Sequence, residues 1–390
     1  MAGMQSSKSD RAVETIQKHF SVLRDGRVAG RTLHPLSSVL TVVFLAVLGG
    51  NNGWEEIHDF AVDREDWLRA RGLLSAGIPS VATMGRVMAM FLPSMIARCV
   101  QAIMNALIEP LDGQVLAFDG KTTRGALRRH QGVLPEAFHK VHLWATEQKV
   151  MLGQSVVNGA PDEPDALLAL LEMLDPAVIA GATITGDANQ TCAKVAQGVI
   201  DANLDYTFRL KANRTAMFES VRDAFLQFEA GTLDASAVTH HRETNEGHGR
   251  SEIREGYCMA ASKVPGLTER LPGVRSVLMV ISRRLQGIET TREIHYVVSS
   301  HRPAVRKLMR QVREHWMVET SLHWCLDVQM GEDRCAVYDA NASQNLAILR
   351  TLALSILKRD ESFHAGIGRK QKKFGRNDEY ADHILSLIIP

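Results

Sequence analysis

Two aspartates come immediately after short segments that are predicted to be strands, a position from which side chains can reach a shared edge of a layered α/β fold. Residues 115–118 precede Asp119-Gly120, and residues 182–185 precede Gly186-Asp187. Each apolar run predicts a strand that ends in a turn. Functional groups of such folds project from neighbouring strand ends. Asp and Gly are also favoured in turns without any function, so neither aspartate identifies a site alone.

A third carboxylate is predicted on a helix. Residues 313–327 read REHWMVETSLHWCLD, and at about 100° per residue His315, Glu319, His323 and Asp327 share one side of that helix. Carboxylates on an amphipathic helix usually face solvent. This polar face is narrow and carries His and acidic residues instead of the usual Lys and Glu mixture, which favours a functional site.

Three carboxylates from two strands and one helix would form an oxygen-rich pocket. Hard divalent cations such as Mg²⁺ and Mn²⁺ prefer oxygen ligands. Two such ions side by side can activate a water or a 3′-hydroxyl and stabilise the leaving oxygen in phosphodiester transfer. If the three carboxylates meet in the fold, the sequence predicts metal-dependent phosphodiester chemistry.

The elements that would position these residues change in type along the chain. Residues 12–108 read as helical, with apolar residues such as Leu36, Leu40 and Val43 at helical spacing. Three strands follow, and then helix, strand, helix and strand, a pattern typical of a mixed α/β sheet. Residues 236–299 are rich in predicted strands, after which helices return.

The composition excludes several classes of protein. The 390 residues are 45% hydrophobic and 23% charged, which is unlike a disordered or collagen-like chain. The net charge of +1 permits nucleic-acid binding, which needs only a local basic surface. Five cysteines without a CxxC pair argue against a disulfide framework and for a reducing compartment. The polar N-terminus lacks a signal-peptide core, and the apolar stretch 36–48 is too short to cross a bilayer, so we expect a soluble, cytoplasmic protein.

The motifs around the three carboxylates resemble those of DDE transposases, specifically the ISAs-type insertion-sequence family, also called H-repeat-associated proteins. FDGKTTRGA and GDANQ resemble the first- and second-aspartate motifs, and EGHGRSEIRE resembles the HGR-containing insertion. HWMVETSLHWCLDVQMGEDRC, followed by NASQNLAILRTLALSILK, resembles the C-terminal signature. Upstream, HFSVLRDGR, WEEIHDFA and GIPSVATMGRV resemble the helical domain that precedes the catalytic core. The resemblance covers nearly the whole chain.

The resemblance implies an α/β fold of several parts. An RNase H-like catalytic domain, a mixed sheet with helices, would occupy residues 111–360. A β-rich insertion would interrupt it at about 236–299. A helical N-terminal domain at 12–108 would bind DNA ends or build the assembly, and a basic tail would occupy 361–390.

The resemblance also implies the chemistry. Asp119, Asp187 and Glu319 would form the catalytic triad and hold two Mg²⁺ or Mn²⁺ ions, for cleavage at insertion-sequence ends and strand transfer into target DNA. The partners would be the terminal inverted repeats and the target DNA, with no membrane. A homo-oligomer would hold two ends together, in a bacterial cytoplasm and at the nucleoid when bound to DNA.

The chain departs from related transposases around the glutamate. Those proteins often have Tyr and Arg seven and four residues before it and Lys seven residues after it, where this chain has Val312, His315 and Leu326. The residues that could take over these roles are Arg313, His323 and Asp327.

Basic residues near the predicted site are candidates for binding DNA phosphates. They are Lys121, Arg124 and Arg128 after the first aspartate, Arg306, Arg310 and Arg313 before the glutamate, and His315 and His323 beside it. A solvated loop or helix face explains such residues equally well. The cluster Lys370, Lys372, Lys373 and Arg376 could bind DNA or belong to a flexible, solubilising tail.

Two alternatives to a transposase remain open. One is an RNase H-like nuclease that cuts DNA without joining strands. The other is a catalytically silent descendant that only binds DNA, against which the three intact carboxylates argue. A zinc site is disfavoured, because no set of His and Cys residues has the paired spacing of a structural zinc module.

Overall fold

A computed structural model describes residues 7–122, 139–247, 250–286 and 289–389 of the chain. The N-terminal part forms six helices, in agreement with the helical spacing of its apolar residues. They are α1 (Lys8–Phe20), α2 (Leu36–Leu48), α3 (Trp54–Asp63), α4 (Glu65–Arg69), α5 (Val81–Ala89) and α6 (Pro93–Asn105). Helix α2 is buried on all sides, which explains why apolar residues cover its whole circumference.

Among the residues that the structure describes, no single helix is long and apolar enough to cross a membrane. Helices α5 and α6 reach that length and composition only when taken together, and they are bent by 94° relative to each other.

A nine-stranded mixed sheet forms the centre of the fold. Its strands are β1 (Val115–Thr122), β2 (His139–Ala145), β3 (Val150–Val157), β4 (Thr183–Gly186), β5 (Asp205–Leu210), β6 (Val238–Gly247), β7 (Arg250–Ala260), β8 (Ser276–Gln286) and β9 (Glu289–Ser299). Their spatial order is β3-β2-β1-β4-β5-β9-β8-β7-β6. Strands β1 to β3 are antiparallel, whereas β4 and β5 run parallel to β1. This is the strand arrangement of an RNase H-like core, and the predicted fold class is confirmed.

The described residues form nine further α-helices. They are α7 (Glu163–Glu172), α8 (Pro176–Ile179), α9 (Ala193–Asp201), α10 (Thr215–Glu229), α11 (Leu267–Arg270), α12 (Val305–Val318), α13 (Ala340–Arg359), α14 (Ile367–Phe374) and α15 (Asp378–Ser386). Helix α12 continues into two π-helical turns, Glu319–His323 and Cys325–Gln329. Such turns are often found at functional sites, because they rotate the side chains that follow them.

The apolar residues form two large cores on opposite faces of the sheet. One core lies under α7, α9 and α10. The other contains the apolar sides of α1 to α6 together with those of α13 to α15, packed on Ala117 and Trp144 of the sheet. The two ends of the chain therefore share one core.

The predicted β-rich insertion continues the central sheet. Strand β9 pairs antiparallel with β5, in a register that places Phe208 opposite Val298. Strands β8, β7 and β6 follow in order, and α12 packs against them through Leu308 and Met309. The same sheet thus supports both the RNase H-like core and the helix that leads to Glu319.

The segment after residue 360 is folded, so the flexible form of the predicted tail is wrong. Helices α14 and α15 bury Phe374 and Ile384 in the core. Lys370 is also buried, and its Nζ donates to the carbonyl oxygen of Leu357 at 3.0 Å and lies 3.3 Å from the Asp360 carboxylate. Exposed residues such as Lys372 and Lys373 give the segment a polar composition, which concealed the amphipathic spacing of its buried residues.

Close packing of α12 on β7 depends on Gly256. A Cβ atom at this position would lie 2.9 Å from Met309 Cγ and 3.1 Å from Val305 Cγ2. We expect Gly256→Ala to lower the free energy of unfolding by about 1–3 kcal/mol, as overpacking does, in urea denaturation. The control is Gly368→Ala in α14, where the nearest atom would be 3.9 Å away and alanine favours the helix. Equal stability of the Gly256 variant and the wild type would contradict close packing here.

Candidate active site

Asp119 lies within β1, which continues to Thr122, so the predicted turn at Asp119-Gly120 is wrong: the residues after Asp119 stay paired with β2. The four residues before it are buried, which fixes the strand, and Asp119 pairs in register with His142 of β2. Burial raises the pKa of Asp119 to about 6; the nearby carboxylates of Glu319 and Asp187 add to the effect, and His323 opposes it. A half-buried carboxylate among other carboxylates is a setting that favours a bound cation.

Glu319 and His323 complete a compact group with Asp119. Both lie on the first π-helical turn after α12. The Nδ1 atom of His323 is 3.7 Å from Asp119 Oδ2 and 3.7 Å from Glu319 Oε2. Within the described part of the chain, one ligand atom from each of the three residues lies within 4.8 Å of the others. Glu319 is exposed and His323 is buried, so the group is open on one side.

Asp187 lies beside this group but is not part of it. It follows β4, the strand next to β1. Its Oδ1 accepts a hydrogen bond from the backbone N–H of Asn189 at 2.7 Å, and its Oδ2 lies 3.4 Å from Lys211 Nζ. Of the three predicted carboxylates, the structure brings two together and pairs the third with a lysine.

Glu163, the first residue of α7, holds the loop that contains Asp187. Its carboxylate is buried and lies 2.8 Å from His139 Nε2. It also accepts hydrogen bonds from Gln190 at 3.1 Å and from Asn189 at 3.4 Å. Glu163 was not predicted from the sequence, because a glutamate before proline at a helix start looks like an ordinary first-turn residue.

A buried ion-pair network joins the strands to the segment after Glu319. Lys121 of β1 and Lys140 of β2 lie opposite each other and bind the two oxygens of Glu332, at 2.6 and 2.7 Å. Lys121 also pairs with Asp327. Lys121 was a candidate for binding DNA phosphates. In the structure its side chain is buried, and its charge is neutralised by Glu332 and Asp327.

The remaining candidates for DNA binding differ in exposure. Arg306, Arg310 and Arg313 are exposed on α12, and Arg310 pairs with Glu314 at 3.4 Å. His315 contacts Thr185 Oγ1 at 3.1 Å, and burial lowers its pKa to about 4. It is therefore uncharged at neutral pH and does not offer a cation to phosphate. Arg124 and Arg128 lie outside the described residues.

Comparison with known proteins covers almost all of the chain. Residues 110–356 match the family described as transposase DDE domain, and residues 17–104 match its associated region, described as DDE_Tnp_1-associated. The Escherichia coli K12 "H repeat-associated putative transposase YhhI" is 29% identical over 96% of this chain and 98% of its own length. The "Putative transposase YncI" of E. coli O157:H7 is 27% identical over 96% of this chain and 95% of its own length.

One solved structure is a distant neighbour. It is the piggyBac transposase in a synaptic complex with hairpin DNA, 12% identical, with a TM-score of 0.41 over 97% of this chain and 81% of that one. At this level of similarity the comparison adds nothing to the fold assignment.

Proposed function

The chain belongs to the DDE transposases, and from this membership we propose that it cleaves DNA at insertion-sequence ends and joins the 3′-hydroxyl to target DNA. The observation that carries the proposal is the meeting of Asp119 and Glu319 on the open side of the sheet. These carboxylates come from a strand and a helix that are 200 residues apart in sequence, and the fold places them in one group with His323.

The donor set fits a divalent cation. Atoms that each lie about 2.1 Å from one small ion are about 3–4 Å from each other. The separations of 3.7 Å from His323 Nδ1 to both carboxylates fall in this range. Burial raises the pKa of Asp119 to about 6, and the carboxylates of Glu319 and Asp187 add to this shift, so the group concentrates negative charge. We propose that Asp119, Asp187 and Glu319 hold two Mg²⁺ or Mn²⁺ ions, which in such sites polarise the nucleophile and stabilise the leaving oxygen.

The surrounding residues orient this group and the DNA. Glu163 holds the loop of Asp187, and Lys211 balances its charge in the described structure. Arg306, Arg310 and Arg313 form an exposed basic stripe on the helix that ends at Glu319, where phosphates of a bound strand would be within reach. We propose that the helices of residues 12–108 recognise DNA ends or build the assembly. We also propose that a homo-oligomer holds two DNA ends together. The reaction would take place at the nucleoid.

The decisive experiment is a cleavage and joining assay with purified protein. The substrate is DNA carrying the inverted repeats that flank the gene, and the control has scrambled repeats. We expect nicked and joined products with Mg²⁺ or Mn²⁺, only from the natural ends, and no product after addition of EDTA. Cleavage without joining would favour a nuclease. A salt-sensitive DNA complex with no product under either metal would favour a silent DNA-binding protein.

A further inference from the structure

A second histidine, His142 of β2, lies behind the histidine of the candidate site. It is fully buried and lies opposite Asp119 in the strand register. Its Nδ1 is 3.3 Å from His323 Nε2, and the two rings are tilted by 53°. The two nitrogens of His323 therefore have different surroundings: Nδ1 faces the two carboxylates, and Nε2 faces His142.

These surroundings distinguish the two tautomers of a neutral His323. With the proton on Nδ1, the ring would donate to carboxylates 3.7 Å away, longer than the N–H···O distance of about 2.7–3.2 Å. With the proton on Nε2, the ring donates to His142 Nδ1 at 3.3 Å, a shorter contact, and the unprotonated Nδ1 lies 3.7 Å from both Asp119 and Glu319. Histidines that bind metals almost always donate their other ring N–H to an acceptor, usually a carboxylate, a backbone carbonyl or water, and His142 Nδ1 lies in the position of that acceptor here.

We propose that His323 is a nitrogen ligand of the cation held by Asp119 and Glu319, and that His142 is the positioning residue that fixes its tautomer. The inference rests on one part of the proposed function, the binding of a cation by Asp119 and Glu319. It does not depend on strand cleavage. It gives the site a metal preference. An imidazole ligand strengthens binding of Mn²⁺ relative to Mg²⁺, which prefers oxygen.

The test uses the full-length protein without DNA. Mn²⁺ and Mg²⁺ affinities are measured by titration calorimetry, and pulsed electron paramagnetic resonance of bound Mn²⁺ reports whether an imidazole ¹⁴N is directly coordinated. We expect ¹⁴N coupling in the wild type. In His323→Gln the coupling disappears and Mn²⁺ binding weakens about 10- to 100-fold, with a smaller effect on Mg²⁺.

Two further variants separate positioning from simple packing. His142→Phe keeps a ring but removes the acceptor, and we expect about 10-fold weaker Mn²⁺ binding. His142→Asn places an amide oxygen near the position of Nδ1, and we expect it to restore the affinity. The control His364→Gln changes an exposed histidine and should leave binding and coupling unchanged. Circular dichroism confirms that each variant is folded.

Several outcomes overturn the inference: Mn²⁺ bound to the wild type without ¹⁴N coupling, no Mn²⁺ binding at all, or unchanged binding in His323→Gln. The same measurements distinguish failure of this inference from failure of the proposed function. A protein with ¹⁴N-coupled Mn²⁺ that gives no DNA product supports the ligand assignment and contradicts the transposase assignment. DNA products without ¹⁴N coupling support the transposase assignment and contradict the ligand assignment.

Discussion

Replacing Asp119 with asparagine is expected to abolish strand cleavage and to make the metal-free protein more stable. Loss of one carboxylate removes several kcal/mol of charge stabilisation from a metal site, which corresponds to a fall in rate of about a thousandfold or more. DNA binding should change little, because Arg306, Arg310 and Arg313 and the other exposed basic residues are untouched.

The gain in stability follows from the sign of the pKa shift. Burial raises the pKa of Asp119 from 3.8 to about 6. A carboxyl group with a raised pKa favours the folded state while it is protonated, and this contribution is lost as the pH rises from about 4 through 6. Above pH 6 the ionised group costs about 2 kcal/mol, after allowance for its partial exposure. Asparagine has no charge and removes this cost.

The measurements are a cleavage assay and urea denaturation in EDTA at pH 5 and pH 8. We expect the stability advantage of Asp119→Asn to be larger at pH 8. Asp201→Asn, which changes an exposed aspartate on α9, is the matched control and should resemble the wild type in both assays. Cleavage by Asp119→Asn at the wild-type rate would remove Asp119 from the active site. A pH-independent stability difference would show that ionisation of the Asp119 carboxylate does not destabilise the folded protein.

Glu332→Gln is expected to have the largest effect on stability. Glu332 is 3% exposed and pairs with two buried lysines, Lys121 and Lys140. Glutamine keeps the shape but leaves Lys121 with Asp327 alone and removes the carboxylate that pairs with buried Lys140, and breaking a buried ion pair typically costs about 3–5 kcal/mol. Lys121 is two residues from Asp119, so we also expect slower cleavage from the protein that remains folded.

The pH dependence of this variant identifies the cause. Burial raises the pKa of Glu332, but the positive charges of Lys140 and Lys121 outweigh it, and the net pKa lies well below the ordinary value of 4.5. Its stabilising contribution is therefore present above pH 4.5 and decreases as the pH falls toward the folded-state pKa. The urea-denaturation difference between wild type and variant should shrink in acid. Glu361→Gln, at an exposed position, is the control, and a Glu332→Gln protein of equal stability would contradict the role of the network.

Local patterns in the sequence were sufficient for the elements that carry the carboxylates. The apolar residues 115–118 predicted β1, and residues 182–185 predicted β4. The end of β1 was not predicted, because Lys121 and Thr122 stay in the strand by pairing with Lys140 and His139 of β2. Helical periodicity placed His315, His323 and Asp327 on one side of a helix. In the structure they contact Thr185, the Asp119 carboxylate and Lys121, respectively.

Long-range pairing of buried polar groups could not be predicted in this way. His142, Lys140 and Glu332 look like surface residues in the sequence, since charged side chains are rarely buried without a partner. Their partners are up to about 200 residues away, and no local pattern connects them. The same limit applies to the pairing of β9 with β5, and to α14 and α15, whose basic residues suggested a tail.

The core shared by the two ends of the chain constrains the order of events during synthesis. Helices α1 to α6 end at Asn105, but a large part of their apolar surface is covered by α13 to α15, which begin only at Ala340. Contacts such as the 2.9 Å ion pair between Arg64 and Asp378 close this core. Until α13 to α15 have been synthesised, part of the apolar surface of α2 and its neighbours therefore stays exposed, a condition in which chains depend on chaperones. We expect a copy truncated before α13 to leave that surface uncovered and to be degraded by proteases.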